Sequence, residues 1–128
     1  MPEMPKISDA EWEAMKVIWD SPAPVTANEV VTALASQMQW NPRTVKTLLN
    51  RLVSKGAITF ETQGKRYLYR AKVGREECVR MESHSFLQRV FGGQAAPMLV
   101  HFVRSARLSP QEIEELRKVL QSRQEKKS

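Results

Sequence analysis

Apolar side chains recur at helical spacing in three stretches before Gly56, and each stretch is bounded by residues that start or stop helices. Ser8/Glu11 and Thr26/Glu29 each place a hydroxyl three residues ahead of a carboxylate, the pairing that satisfies orphan N–H groups at a helix start. The first predicts a helix to about Asp20, its apolar faces supplied by Trp12, Met15, Val17, Ile18 and Trp19, stopped by Pro22 and Pro24. The second predicts a shorter helix burying Val30, Val31, Leu34 and Ala35. The third begins with Asn41 as N-cap and Pro42 at the first helical position, where a missing N–H costs nothing, and ends at Lys55 before Gly56. Within it Val45, Leu48, Leu49, Leu52 and Val53 follow the i, i+3, i+4, i+7, i+8 pattern of a buried face. Arg43, Lys46, Thr47, Asn50, Arg51 and Ser54 occupy the opposite face.

Downstream the period changes from helical to alternating. Residues 57–63 and 65–72 read as two strands joined around Gly64, a hairpin. Tyr67 and Tyr69 share one side of the second strand and Arg66, Leu68 and Arg70 the other; alternation does not decide which side faces the core. After Val73 helical spacing returns in three short amphipathic segments. Residues 74–91 carry Val79, Phe86, Leu87, Val90 and Phe91 and end at Gly92 and Gly93. Residues 95–105 carry Ala95, Met98, Leu99, Phe102 and Val103. A third capping pair, Ser109/Glu112, opens residues 110–123, with Ile113, Leu116, Val119 and Leu120 inward, followed by a polar tail. These segments have little core of their own, so they need a partner surface, and a second copy of the chain supplies one most economically. The competing arrangement is a cap folded back on the N-terminal part. The predicted fold is mainly α with a small β-hairpin: a winged helix-turn-helix DNA-binding domain at 1–73, then a helical dimerisation domain at 74–128.

Charge sharpens this picture because it is local. The chain as a whole has a net charge of +6. Residues 41–72 hold eight bases (Arg43, Lys46, Arg51, Lys55, Lys65, Arg66, Arg70, Lys72) against one acid, Glu61, whereas residues 1–40 are net acidic. A positive stripe on a helix and its following hairpin is the footprint of a protein that docks on phosphate backbones. In a helix-turn-helix the N-terminal residues of the second helix meet base edges in the major groove. Here those are Arg43, Thr44, Lys46 and Thr47, then Asn50 and Arg51 one turn later. Arg and Lys donate to guanine acceptors, Asn pairs with adenine and a Thr methyl packs on a thymine methyl, so the face holds the groups that direct readout requires. Lys65 and Arg66 at the hairpin tip suit flanking phosphates or a minor groove.

Other classes fare poorly. At 41% hydrophobic and 27% charged residues the chain is an ordinary globular protein. It shows neither a secretory start nor an apolar run long enough to insert into a membrane, which predicts a cytoplasmic protein. Cys78, the single cysteine, excludes an intramolecular disulfide and reads as a small helix residue tucked into packing. No phosphate loop, nucleophile elbow or metal-binding His pair appears, and His84 and His101 fall in different segments. A metal site of Cys78, Glu82 and His84 places no tidy ligand set on one helical face. The expectation is no enzyme, no cofactor and no metal. A winged helix used only for protein–protein contact is the alternative, and the Thr and Asn interleaved among the bases argue against it.

With these residues in view, the chain closely resembles the penicillinase-repressor family, of BlaI/MecI type. The resemblance rests on ISDAEWEAMKVIWDS at the start, WNPRTVKTLLNRLVSKG over the third helix, GKRYLYRAKV in the hairpin, and SFLQRVFGG, LVHFV and LSPQEIEELRKVL beyond it. It implies a homodimeric transcriptional repressor on a two-fold symmetric, double-stranded DNA operator, ahead of β-lactamase or related resistance genes. Its dimerisation residues would be Phe86, Leu87, Val90, Met98, Leu99, Phe102, Val103, Leu116 and Leu120. In several relatives a membrane-bound sensor metalloprotease triggers cleavage of an Asn–Phe bond in the arm, and loss of the arm ends repression. The matching bond here is His101–Phe102, so the chain departs from that pattern at the residue before the bond. Copper-responsive relatives carry a C-terminal cysteine pair, which the SRQEKKS end of this sequence lacks.

Overall fold

The computed structural model describes residues 5–126. Its elements run α1 (Asp9–Asp20), β1 (Val25–Thr26), α2 (Ala27–Met38), α3 (Pro42–Lys55), β2 (Ile58–Gln63), β3 (Arg66–Ala71), α4 (Arg75–Phe91), α5 (Ala95–Ser105) and α6 (Pro110–Lys126). The chain divides into two compact units, Met1–Glu82 and Ser83–Ser128, with the division inside α4.

In the first unit the expected capping devices all form. Ser8 and Glu11 make reciprocal hydrogen bonds, as do Thr26 and Glu29, and the Asn41 Oδ1 accepts from the Thr44 N–H at 2.9 Å. The turn between α2 and α3 is three residues long because Gln39 takes a left-handed conformation, φ 58°, that bends the chain sharply. At the far end of α3, Gly56 sits at φ 79°, and its N–H reaches back to the Leu52 and Val53 carbonyls. Only a residue without a Cβ adopts that conformation freely.

Ala14, Met15, Val30, Leu34, Val45, Leu49 and Leu52 form the buried centre where α1, α2 and α3 meet, closed from the side by Ala57, Ile58 and Tyr69 of the sheet region. Each large aliphatic side chain there contributes roughly 1.5–3 kcal/mol by leaving water. The expectation for α2 needs correction: Val31 is half-buried and Ala35 exposed, because the core-facing stripe of this helix runs through Val30 and Leu34.

The expected hairpin is the larger part of a three-stranded antiparallel sheet of order β1-β3-β2. β1 pairs Val25 with Tyr69 and Thr26 with Leu68; it is only two residues long and opens directly into the cap of α2, so no alternation revealed it. The β2–β3 register sets Phe60 opposite Tyr69 and Thr62 opposite Tyr67. The buried side of the second strand is the tyrosine side, but only at its base, since Tyr69 is buried and Tyr67 is 49% exposed.

The second unit is helical, with Gly92 and Gly93 both at positive φ between α4 and α5. Ser109 and Glu112 cap α6 reciprocally. That helix continues to Lys126, past the expected end at 123, because the segment after Leu120 contains no glycine or proline to stop it. Phe86, Phe91 and Phe102 form a small aromatic cluster with centroids 6.0–6.5 Å apart. None of the described residues from 83 onward is buried.

Candidate nucleic-acid interface

α3 separates its two faces cleanly. Val45, Leu48, Leu49 and Leu52 are buried, while Arg43, Thr44, Lys46, Thr47, Asn50 and Arg51 are all exposed. The apolar face anchors the helix against α1 and α2, so the polar face is presented on a rigid support. Thr47 donates its hydroxyl to the Arg43 carbonyl at 3.0 Å, which pins its rotamer.

Ion pairing sorts the bases of this segment. The Lys55 ammonium donates to the Glu11 carboxylate and to the Lys6 carbonyl, so this lysine serves as a structural clasp between α3 and the start of α1. Arg70 pairs with Glu61 across the hairpin at 3.0 Å. By contrast Arg43, Lys46, Arg51, Lys65, Arg66 and Lys72 make no ion pair with any described residue. Five of these six, all but Lys72, are the cations that the sequence offers for contact with a ligand. Lys65 lies in the turn between β2 and β3, and Arg66 begins β3; both are exposed.

Glu11 is 1% exposed. Burial pushes its carboxyl up, but hydrogen bonds from the Lys55 ammonium and from the Ser8 N–H and hydroxyl outweigh this and hold it below the usual carboxylate range. Burial similarly raises the Tyr69 hydroxyl, aided by Tyr67. Phe60 and Tyr67, with centroids 4.6 Å apart, form an exposed aromatic pair behind the hairpin tip. The alternation that put Tyr67 and Tyr69 on one side was the available signal for it, and the missing register with Phe60 was what obscured it.

Among the described residues no group of three His, Cys, Asp or Glu side chains is placed to hold a metal ion, and no helix is long and apolar enough to cross a membrane. Cys78 is buried while His84 is exposed.

The family model described as penicillinase repressor matches residues 7–122, nearly the whole chain and both units. The chain belongs to the penicillinase repressor family. This is a family of repressors and not of enzymes. The chain is similar to the penicillinase repressor of Bacillus licheniformis, with 36% identity over 127 residues covering 99% of this chain and 98% of that one. It is also similar to the methicillin resistance regulatory protein MecI of Staphylococcus aureus (strain N315), 35% identical over 115 residues, 90% of this chain and 93% of the other. Among solved structures, the DNA-binding domain of the repressor BlaI matches with a TM-score of 0.54 and 38% identity, covering 60% of this chain and 93% of that one. The monomeric form of Bacillus licheniformis BlaI in complex with the blaP half-operator matches with a TM-score of 0.52, the same identity and the same coverage. As in that repressor family, the mostly helical architecture with a small antiparallel sheet is a winged helix.

Proposed function

We propose that this protein is a transcriptional repressor that binds a two-fold symmetric operator as a homodimer in the cytoplasm and controls β-lactamase or related resistance genes. The observation that carries the reading is the unpaired cationic face of α3 and the hairpin tip, held out by a buried apolar face. Arg43, Thr44, Lys46, Thr47, Asn50 and Arg51 read base edges in the major groove, and Lys65 and Arg66 hold phosphates beside it. The operator complex of the Bacillus licheniformis relative supports double-stranded DNA as the ligand.

In this reading residues 1–73 are the DNA-binding domain and residues 74–128 the dimerisation domain. Support comes from the second unit, where Val90, Leu99, Phe102, Val103, Leu116 and Leu120 are each more than 40% exposed, while Phe86, Leu87 and Met98 are half-buried. Apolar faces of this extent on three helices are what a subunit interface covers. Repression ends when a sensor-triggered event separates the arm, and a membrane sensor metalloprotease acting at His101–Phe102 is the candidate route. That bond lies inside α5, and the His101 carbonyl accepts a hydrogen bond from the Ser105 hydroxyl at 2.9 Å, so a protease needs α5 to open locally first.

Salt dependence tests the DNA reading. Gel-shift titration against the inverted repeat that the chain selects from a randomised duplex pool should show log affinity falling linearly and steeply with log salt. Affinity that is flat in salt, or that no duplex elicits, would instead indicate a winged helix used for protein contact.

A further inference from the structure

The hairpin has two faces of opposite chemistry. Alternation along each strand and the β2–β3 register put Thr59, Glu61 and Gln63 with Arg66, Leu68 and Arg70 on the outer face, and Phe60 and Thr62 with Tyr67 and Tyr69 on the inner one. At its base the inner face closes the core of the first unit, where Ile58 and Tyr69 are buried with side chains of α1, α2 and α3. Toward the tip the same face runs out into the open, with Phe60 39% exposed and Tyr67 49%.

These two rings are held firmly. The Phe60 ring lies 4.6 Å from Tyr67 and 5.9 Å from Tyr69, centre to centre, so the exposed pair is braced on the buried tyrosine. A cross-strand aromatic pair stiffens a hairpin. It also leaves a firm apolar surface in water directly behind the tip that carries Lys65 and Arg66, both exposed and without an ion-pair partner among the described residues. The single acid of residues 41–72, Glu61, stands on the outer face and is tied to Arg70 at 3.0 Å, so no carboxylate repels a phosphate strand from the inner side. A DNA strand has the matching chemistry, since its charged phosphates are joined by sugars with apolar C–H edges. An apolar segment of a protein would cover the rings but gain nothing from the two free cations beside them.

We propose that Phe60 and Tyr67 form a further contact of this repressor with duplex DNA, packing on deoxyribose edges beside the phosphates that Lys65 and Arg66 hold, outside the base pairs read by α3. This rests on the DNA-binding reading above. Every duplex offers such sugars, so the contact adds affinity and register without reading sequence. It is uncharged and displaces no counterions, so it leaves the salt dependence of binding untouched, unlike a lysine or arginine on a phosphate.

Hydroxyl-radical footprinting reads the contact directly, because the radical attacks deoxyribose hydrogens and a covered sugar is protected. The full chain, at saturation on the inverted repeat that it selects from a randomised pool, should protect a patch of sugars beyond the segment occupied by α3. In Phe60→Thr/Tyr67→Thr that patch should be lost while protection over the α3 segment persists, and Tyr67→Phe should keep both. Threonine suits strands, and Thr62 already stands opposite position 67, so the substitution preserves strand pairing. Affinity of the double variant should fall at least about tenfold, with the slope of log affinity on log salt unchanged to within about 0.5, whereas Lys65→Ala/Arg66→Ala should make that slope shallower by about 1–2. Tyr67→Thr alone replaces the double variant if that one fails to fold. A slope that becomes shallower together with the loss of affinity would mean that the rings only hold the hairpin in shape, and would overturn the inference. An unchanged footprint would overturn it too, and weaker self-association in sedimentation alongside it would give the face to a second copy of the chain. A pool that yields no duplex would remove the DNA reading itself, whereas protection over the α3 segment with no patch beyond it would remove the aromatic contact alone.

Discussion

Lys55 and Arg43 lie at opposite ends of one basic helix and do different work. Lys55 completes the coordination of a buried carboxylate, so the Glu11–Lys55 contact belongs to folding. Because the Glu11 carboxyl is held below its usual range, its stabilisation is fully present above about pH 4.3, the ordinary value for a free glutamate, and is lost as pH falls through the lower folded value. Glu11→Ala also removes half of the α1 capping box. It should destabilise the protein by about 1–3 kcal/mol at neutral pH and flatten the acid limb of stability below pH about 4.3, as followed by urea unfolding across pH. Arg43, with Lys46, belongs to recognition. Arg43→Ala and Lys46→Ala should weaken binding to the operator more than to unrelated duplex, by about 1–3 kcal/mol for a good bidentate base contact. Lys65→Ala and Arg66→Ala should weaken both duplexes alike. Parallel titrations on the two duplexes check this, and uniform losses for all four would remove α3 as the reader.

At the scale of the element, α3 was almost wholly legible from sequence because its signals are local: Asn41, Pro42, the apolar stripe and Gly56 all lie within the helix or beside it. Gly56 meets nothing within 4 Å of a built Cβ, so Gly56→Ala isolates the backbone cost of φ 79°. A loss of about 1 kcal/mol with an unchanged denaturant slope is the expected result. β1 escaped notice for the converse reason. Two residues carry no period, and Val25 and Thr26 become a strand only through pairing with Tyr69 and Leu68, more than forty positions away. The same non-local pairing decides which hairpin face is buried. On the candidate site, the sequence showed eight bases but could not show that Lys55 and Arg70 are neutralised, because Glu11 is distant in the chain and the Glu61 contact depends on strand register.

For the whole molecule, the two units differ in kind. The first has a continuous core from Ile7 to Cys78, while the second has no buried residue among those described. A unit with a closed core should hold its fold without the other, whereas one without a core depends on what covers it. A chain ending at His101 keeps the entire first unit and loses Phe102, Val103 and α6, which carry much of the exposed apolar surface. In sedimentation at micromolar concentration the full chain should be a dimer and the shortened chain largely a monomer. Once one half-site is held, the second head of a dimer binds at high effective concentration, and that gain vanishes for a monomer. The shortened chain should therefore bind the full operator at least about tenfold more weakly, a loss of roughly 1.4 kcal/mol or more, with its affinity for a single half-site unchanged. Gel-shift titrations of both proteins at one fixed salt concentration decide the matter, since salt alone moves such affinities by orders of magnitude. Equal affinities on the full operator would show that the arm does something other than join two reading heads, and that cutting at His101–Phe102 is not the switch.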